Sequence, residues 1–149
     1  MLSVRTTTRN SSITLILLAA LMNGCGSSPT SPSASETFGQ TDLRLGTGAT
    51  AAAANVLTVN YNGWLFDASH TDQKGALFDS SYAAGRTTFS LTLGSGGVIK
   101  GWDQGLVGMR EGGLRRLVIP PSFGYGDTRN GPIPPNATLI FEIELLTVR

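Results

Sequence analysis

Six aromatic side chains carry most of the chemistry this sequence offers. Tyr61, Phe78, Phe89, Trp102, Tyr125 and Phe141 come from separated stretches, and most fall on the inward side of runs that alternate apolar and polar residues. Ordinary core packing accounts for any one of them. Two features favour a pocket. Tyrosine and tryptophan have polar tips that need partners when buried. The stretches bearing Trp102 and Tyr125 are flanked by Gly101, Gly105, Gly124 and Gly126, which permit close backbone approach. Such a set can bind and desolvate; it offers no nucleophile.

The usual catalytic sets are missing. Gly94-Ser95-Gly96-Gly97 is glycine-rich, but no Gly-Lys-Ser/Thr follows to make a phosphate loop. No Gly-x-Ser-x-Gly elbow occurs. A single histidine, His70, sits in the polar stretch 68–74 and reads as a solvated loop residue. With one histidine and one cysteine there is no thiolate cluster, no His-rich metal site and no internal disulfide. Glu142 and Glu144 lie on the outward side of a strand and read as a solvated face. The net charge of +1 leaves no basic footprint for nucleic acid. Neither a metal nor an organic cofactor is expected.

Alternation dominates the elements that must position the aromatics. Leu57, Val59 and Tyr61 share one face; Phe89, Leu91 and Leu93 another; then Leu117 and Ile119; then Leu139, Phe141, Ile143 and Leu145, with Ile140, Glu142, Glu144 and Leu146 outward. Period-two patterning over β-branched and aromatic residues predicts half-buried strands. Only 98–109 reads as helix: Ile99, Trp102, Leu106 and Met109 fall on one face. Gly101 and Gly105 weaken it as an isolated helix, so it needs a sheet to lie on. The expected fold class is α+β: a curved antiparallel sheet, a half-barrel, wrapped around one short helix.

The start of the chain reads as an address. Arg5 and Arg9 precede an apolar run over 13–22, too short to span a membrane, so 1–24 is expected to be a secretory signal. The only cysteine, Cys25, follows Gly24 in a context that resembles a bacterial lipoprotein cleavage site, where the cysteine carries lipid and anchors the protein to a membrane. Ordinary secretion is the alternative. Residues 25–37 are rich in serine and proline and read as a flexible tether. The single domain spans 38–149, with nine basic and nine acidic residues and no net charge. It is expected to be exported, periplasmic or lipid-anchored, and monomeric.

Four motifs in order then match a family: Phe78-Asp79-Ser80-Ser81; Val98-Ile99-Lys100-Gly101-Trp102-Asp103-Gln104-Gly105-Leu106; Ile119-Pro120-Pro121 leading to Phe123-Gly124-Tyr125-Gly126; and Ile133-Pro134-Pro135-Asn136-Ala137-Thr138 running into Leu139–Leu146. Their order and spacing resemble the FKBP-type peptidyl-prolyl cis-trans isomerases across nearly the whole domain. The resemblance implies a hydrophobic cleft between sheet and helix, with Trp102 as floor and Tyr61, Phe89, Phe141, Val98 and Ile99 as walls. Phe78 is among its aromatics, and Asp79 and Tyr125 supply polar contacts at its edge. It further implies that the Ile99 N–H and the Tyr125 hydroxyl hold carbonyls of a bound proline segment. Tyr61, Asp79, Trp102, Tyr125 and Phe141 are thus the expected catalytic set, and Phe78, Phe89, Val98 and Ile99 the expected substrate-binding set.

The expected activity is X–Pro isomerisation during folding of exported proteins, on proline-containing polypeptides, with rapamycin-type macrolides as inhibitors. The alternative is an FKBP-like module that grips proline segments without turnover. Asp79 is expected to be tied to the Tyr61 hydroxyl and to Arg86, orienting the cleft wall. Several features depart from the compact family members. Residues 63–77 are longer and read as an exposed excursion holding Phe66, His70 and Lys74. Leu91 stands where an aromatic is often found, and 129–132 form a different flap beside the cleft.

Overall fold

The computed structural model describes residues 37–149. The expected signal segment, Cys25 and all of the tether before Thr37 lie outside them. Within them run β1 (Gly39–Arg44), β2 (Val56–Phe66), β3 (Lys74–Ser80), β4 (Phe89–Thr92), α1 (Lys100–Gly105), β5 (Leu114–Ile119), a 3₁₀ turn at Pro121–Phe123, and β6 (Leu139–Val148). Every pairing between strands is antiparallel, in the order β1-β5-β6-β2-β3, with β4 also on β2.

Strand β2 organises the curl. One side pairs along its length with β6. The other side is divided: β4 takes Val56–Val59 and β3 takes Asn62–Phe66. At the junction neither partner reaches Tyr61. There the Ser81 hydroxyl accepts from the Tyr61 N–H at 2.9 Å, and the Ser81 N–H donates to the Tyr61 carbonyl at 2.9 Å. A side chain thus satisfies a buried backbone donor that the ladder leaves out. Serine after Phe-Asp-Ser is doing ladder work as well as turn work.

The inward faces are the alternating sets read from the sequence: Leu57, Val59, Leu117, Ile119, Leu139, Ile143 and Leu145 are fully buried, joined by Leu106 and Met109. The helix is shorter than the 98–109 periodicity suggests. It begins at Lys100 and ends at Gly105, and 106–108 turn away. The reason is glycine. A Cβ on Gly101 would stand 2.7 Å from Ile119, and one on Gly105 would stand 2.6 Å from Leu117. Bare glycines let this one and a half turns sit directly on β5, and the same glycines stop it from extending.

An ion pair fixes the other end of the helix. Arg115 on β5 is buried, with Nε and Nη2 donating to the Asp42 carboxylate at 2.6 and 3.1 Å. Its Nη1 donates to the Gly105 and Val107 carbonyls at 2.8 and 3.1 Å. Carbonyls left open at a helix C-terminus are thereby capped by a cation.

Two expectations are corrected on the outer face. Ile140, placed outward by alternation, is fully buried. And 63–77 is exposed over 68–72, as expected, but it is not a separate loop: β2 and β3 continue through it as the arms of a hairpin, and its tip is bonded to β5. Leu91 packs into the core and is not a cleft wall. The 129–132 flap is a tight turn closed by Asn130 and Ile133, and none of its residues lines the cleft. Strands β1 and β3 carry too little alternation to have been read from sequence; both lie at sheet edges, where most of their side chains are exposed or half-buried.

Candidate active site: an aromatic cleft between sheet and helix

A cavity of about 260 Å³ opens between the concave sheet face and the start of α1. This is at the small end for ligand pockets, which begin near about 300 Å³. It admits one ring or side chain at a time, so a larger ligand would enter it by a single such group. Tyr61, Phe78, Asp79, Phe89, Val98, Ile99, Trp102, Tyr125 and Phe141 all line it, together with Gly97. The nine residues singled out from the sequence therefore meet at one place; Gly97 was not among them.

The rings form a box. Trp102 lies at the floor, and Tyr61, Phe141 and Phe89 stand against it at 79°, 89° and 86°, with centroids 5.2, 5.3 and 6.0 Å away. Phe78 meets Phe141 at 87° and 5.5 Å. Edge-to-face contacts are the favoured geometry for aromatic pairs, worth about 0.5–1.5 kcal/mol each beyond the area buried. Phe89 is 40% exposed and makes the lip. The Trp102 indole N–H is buried with no hydrogen-bond partner among the described residues. Its surroundings are rings, so a weak donor–π contact is the compensation open to it.

Two backbone features build the wall opposite. Gly63 pairs with Asp79 and Trp64 with Leu77, so Phe78 is an extra residue, a bulge in β3. A bulge breaks the alternation; Phe78 and Asp79, though consecutive, both line the cleft. Beneath them, a Cβ on Gly63 would stand 2.7 Å from Phe141 and 2.8 Å from Phe78. Only glycine leaves room for both rings. The signal was present in the sequence, since Gly63 continues the inward parity of Leu57, Val59 and Tyr61, but a glycine on an inward face does not announce which ring it admits.

The polar groups divide into a closed network and two open donors. The Tyr61 hydroxyl donates to Asp79 Oδ2 at 2.7 Å; Asp79 Oδ1 accepts from the Ser80 N–H at 2.9 Å and lies 3.0 Å from Arg86 Nη2. Burial, reinforced by the hydrogen bond to Asp79 and its charge, pushes the Tyr61 phenol up to about 12. Burial also raises Tyr125, and the Asp79 charge adds to it. Both phenols are therefore held as neutral donors at neutral pH. The Tyr125 hydroxyl donates to nothing among the described residues. Nor does the N–H of Ile99, which precedes the first turn of α1 with extended backbone (φ −61°, ψ 149°). The site thus holds an aromatic box with two uncommitted donors at its edge, and no array of three or more metal-ligating side chains occurs among the described residues.

Comparison with known proteins agrees with this geometry. Residues 48–146 match the family described as FKBP-type peptidyl-prolyl cis-trans isomerase. An FK506-binding protein of Neisseria meningitidis serogroup B is 50% identical over 108 residues, covering 72% of this chain and 92% of that one. FK506-binding protein 1 of Aspergillus oryzae is 42% identical over 105 residues, 69% of this chain and 90% of its own. Among solved structures, AtFKBP13 superposes with a TM-score of 0.64 at 35% identity over 75% of this chain and 93% of its own. FkpA from Escherichia coli gives 0.63 at 38% identity over 75% of this chain but 48% of its own. On fold, cleft and sequence together, the chain belongs to the FKBP-type peptidyl-prolyl cis-trans isomerase family.

Proposed function

We propose that the ring-lined cleft accelerates X–Pro rotation, with Tyr61, Asp79, Trp102, Tyr125 and Phe141 as the catalytic set and Phe78, Phe89, Val98 and Ile99 binding the substrate. An amide rotates over about 18–20 kcal/mol. At about 20 kcal/mol that is on the order of 0.01 per second. Rotation makes and breaks no bond, so neither a nucleophile nor a metal has a role to fill. The barrier is resonance. The planar amide carries extra negative charge on oxygen, which water stabilises; the twisted amide has lost that charge. The box around Trp102 strips water from the planar form at less cost to the twisted one. The Ile99 N–H and Tyr125 hydroxyl hold the flanking carbonyls, so the twist occurs in place. Each 1.36 kcal/mol of preference for the twisted form is tenfold in rate.

The single observation that carries this reading is the pair of uncommitted donors beside an aromatic box. The substrate class is proline-containing polypeptide with loose preference for an apolar residue before proline, because the rings offer no lock for any other side chain. The relatives named for binding FK506 support a macrolide of that or the rapamycin type as a competitor for the same box. The leader-like 1–24, the tether over 25–37 and Cys25 support an exported domain over 38–149, membrane-anchored through a lipid, that assists folding of exported proteins. Metabolic lipid labelling of the full chain and of Cys25→Ser tests the anchor: label on the first only is expected, and none on either contradicts it. The isomerisation assay on a Leu-Pro peptide tests the activity, and a rate equal to the uncatalysed one would leave a binding module.

A further inference from the structure

The hairpin extension over 67–73 is the feature that the cleft chemistry leaves unexplained, and its contacts lie on the far side of the sheet from the rings. Its tip is a closed turn: the Asp67 N–H donates to the Gln73 carbonyl at 2.9 Å, and Asp67 Oδ1 accepts from the Ser69 N–H and hydroxyl at 2.9 and 2.7 Å. From the β2–β3 edge this tip reaches β5. Arg116 Nη2 donates to the Asp72 carbonyl at 2.6 Å and to Gln73 Oε1 at 3.1 Å. Since β6 lies between β2 and β5, that reach carries the tip across β6. Ile140, in register between Val118 and Trp64, is fully buried there although it stands outside the main core. Lys74 completes the attachment, 2.5 Å from Glu142 on β6 and 4.5 Å over the Trp64 ring.

The geometry points to the 67–73 tip as a strap, with Arg116 and Lys74 as positioning residues that hold β3 so that its Phe78–Asp79 bulge stays aimed into the cleft. The reason is mechanical. β3 is an edge strand with a single partner, and its ladder is broken at Phe78, one residue after the Trp64–Leu77 pair. An edge strand with a bulge opens at low cost. The strap fastens that strand to β6 and β5 four residues before Phe78, by contacts that involve no cleft residue. This inference rests on the proposed role of the cleft, and its test separates the two.

Residues 68–72 are replaced by Asn-Gly, a two-residue turn that closes a hairpin between Asp67 and Gln73; Arg116→Met is the milder second variant and serves if the shortened chain does not fold. Asp42→Asn weakens the opposite sheet edge and controls for lost stability. Three readouts are taken: kcat/KM on a Leu-Pro peptide, amide exchange at Phe78 and Asp79, and the ultraviolet titration of Tyr61. The expected result is a three- to tenfold loss of kcat/KM, faster exchange at both amides, and Tyr61 titrating closer to its ordinary value, none of which Asp42→Asn produces. Full kcat/KM with exchange and titration unchanged in the strap variants overturns the inference, as does an equal effect from Asp42→Asn. If the parent chain shows no turnover, the function fails, and exchange and titration still decide the strap.

Discussion

Asp79 touches Tyr61, Arg86 and its own strand, and its carboxylate takes up no proton in the chemistry proposed. Replacing it by valine removes the acceptor of a buried phenol and the ion partner of Arg86. We expect kcat/KM to fall by about tenfold or more with little change in melting temperature, the pattern of a group that orients the wall rather than holds up the fold; equal losses of both would contradict it. Gly63→Ala is the complementary change. The added methyl must displace Phe141 or Phe78, and overpacking of this kind costs about 1–3 kcal/mol. Both stability and turnover should drop, because the displaced rings are the cleft wall. The tyrosines give a pH test. Tyr61 is pushed up to about 12 from an ordinary 10, so the fold favours its neutral form. Stability is fully present below pH 10 and declines as pH rises from 10 toward 12, where the unfolded chain has ionised and the native one has not. Tyr61→Phe should flatten that decline, followed by denaturant melts across pH 9 to 12.

At the level of elements, the helix end and the first strand share one buried cation. Asp42→Ala would leave the Arg115 guanidinium buried without its carboxylate. Removing one partner of a buried pair costs about 3–5 kcal/mol, and the 31% exposure of the Asp42 side chain places the loss at the lower end. Calorimetry reads it. The elements also show what the sequence could reveal. Alternation in β2, β4, β5 and β6 was legible because one face of each is buried against the core. Strands β1 and β3 were not, because nearly all their side chains are exposed or half-buried on both faces, and β3 interrupts its own parity with a bulge at Phe78. Helix periodicity gave the right buried side chains, Trp102, Leu106 and Met109, and the wrong length, since the last two stay buried after the helix has ended. The nine cleft residues could be listed from motifs, whereas Gly63 and the strap through Arg116 depend on register between distant strands, which no local pattern carries.

Considered whole, the molecule separates its tasks by side of the sheet. The concave side holds the core and the cleft; the convex side carries ion pairs, Arg44 with Glu144 and Lys74 with Glu142, and the strap. The exposed Arg44–Glu144 pair contributes little, whereas Lys74–Glu142 is mostly covered and belongs to the strap; with the domain's charge balanced there is no long-range steering of substrate, so salt should alter substrate encounter only weakly. The central claim is that a dry aromatic box, with two donors at its edge, lowers the rotation barrier. It is tested most directly by the catalysed cis-to-trans rate of a Leu-Pro peptide, comparing the wild-type chain with Trp102→Leu and Tyr125→Phe variants shown by circular dichroism to be folded. The account predicts a rate well above the uncatalysed one for the wild type, a large loss for Trp102→Leu and a smaller loss for Tyr125→Phe. Wild-type and Trp102→Leu rates that coincide would contradict it.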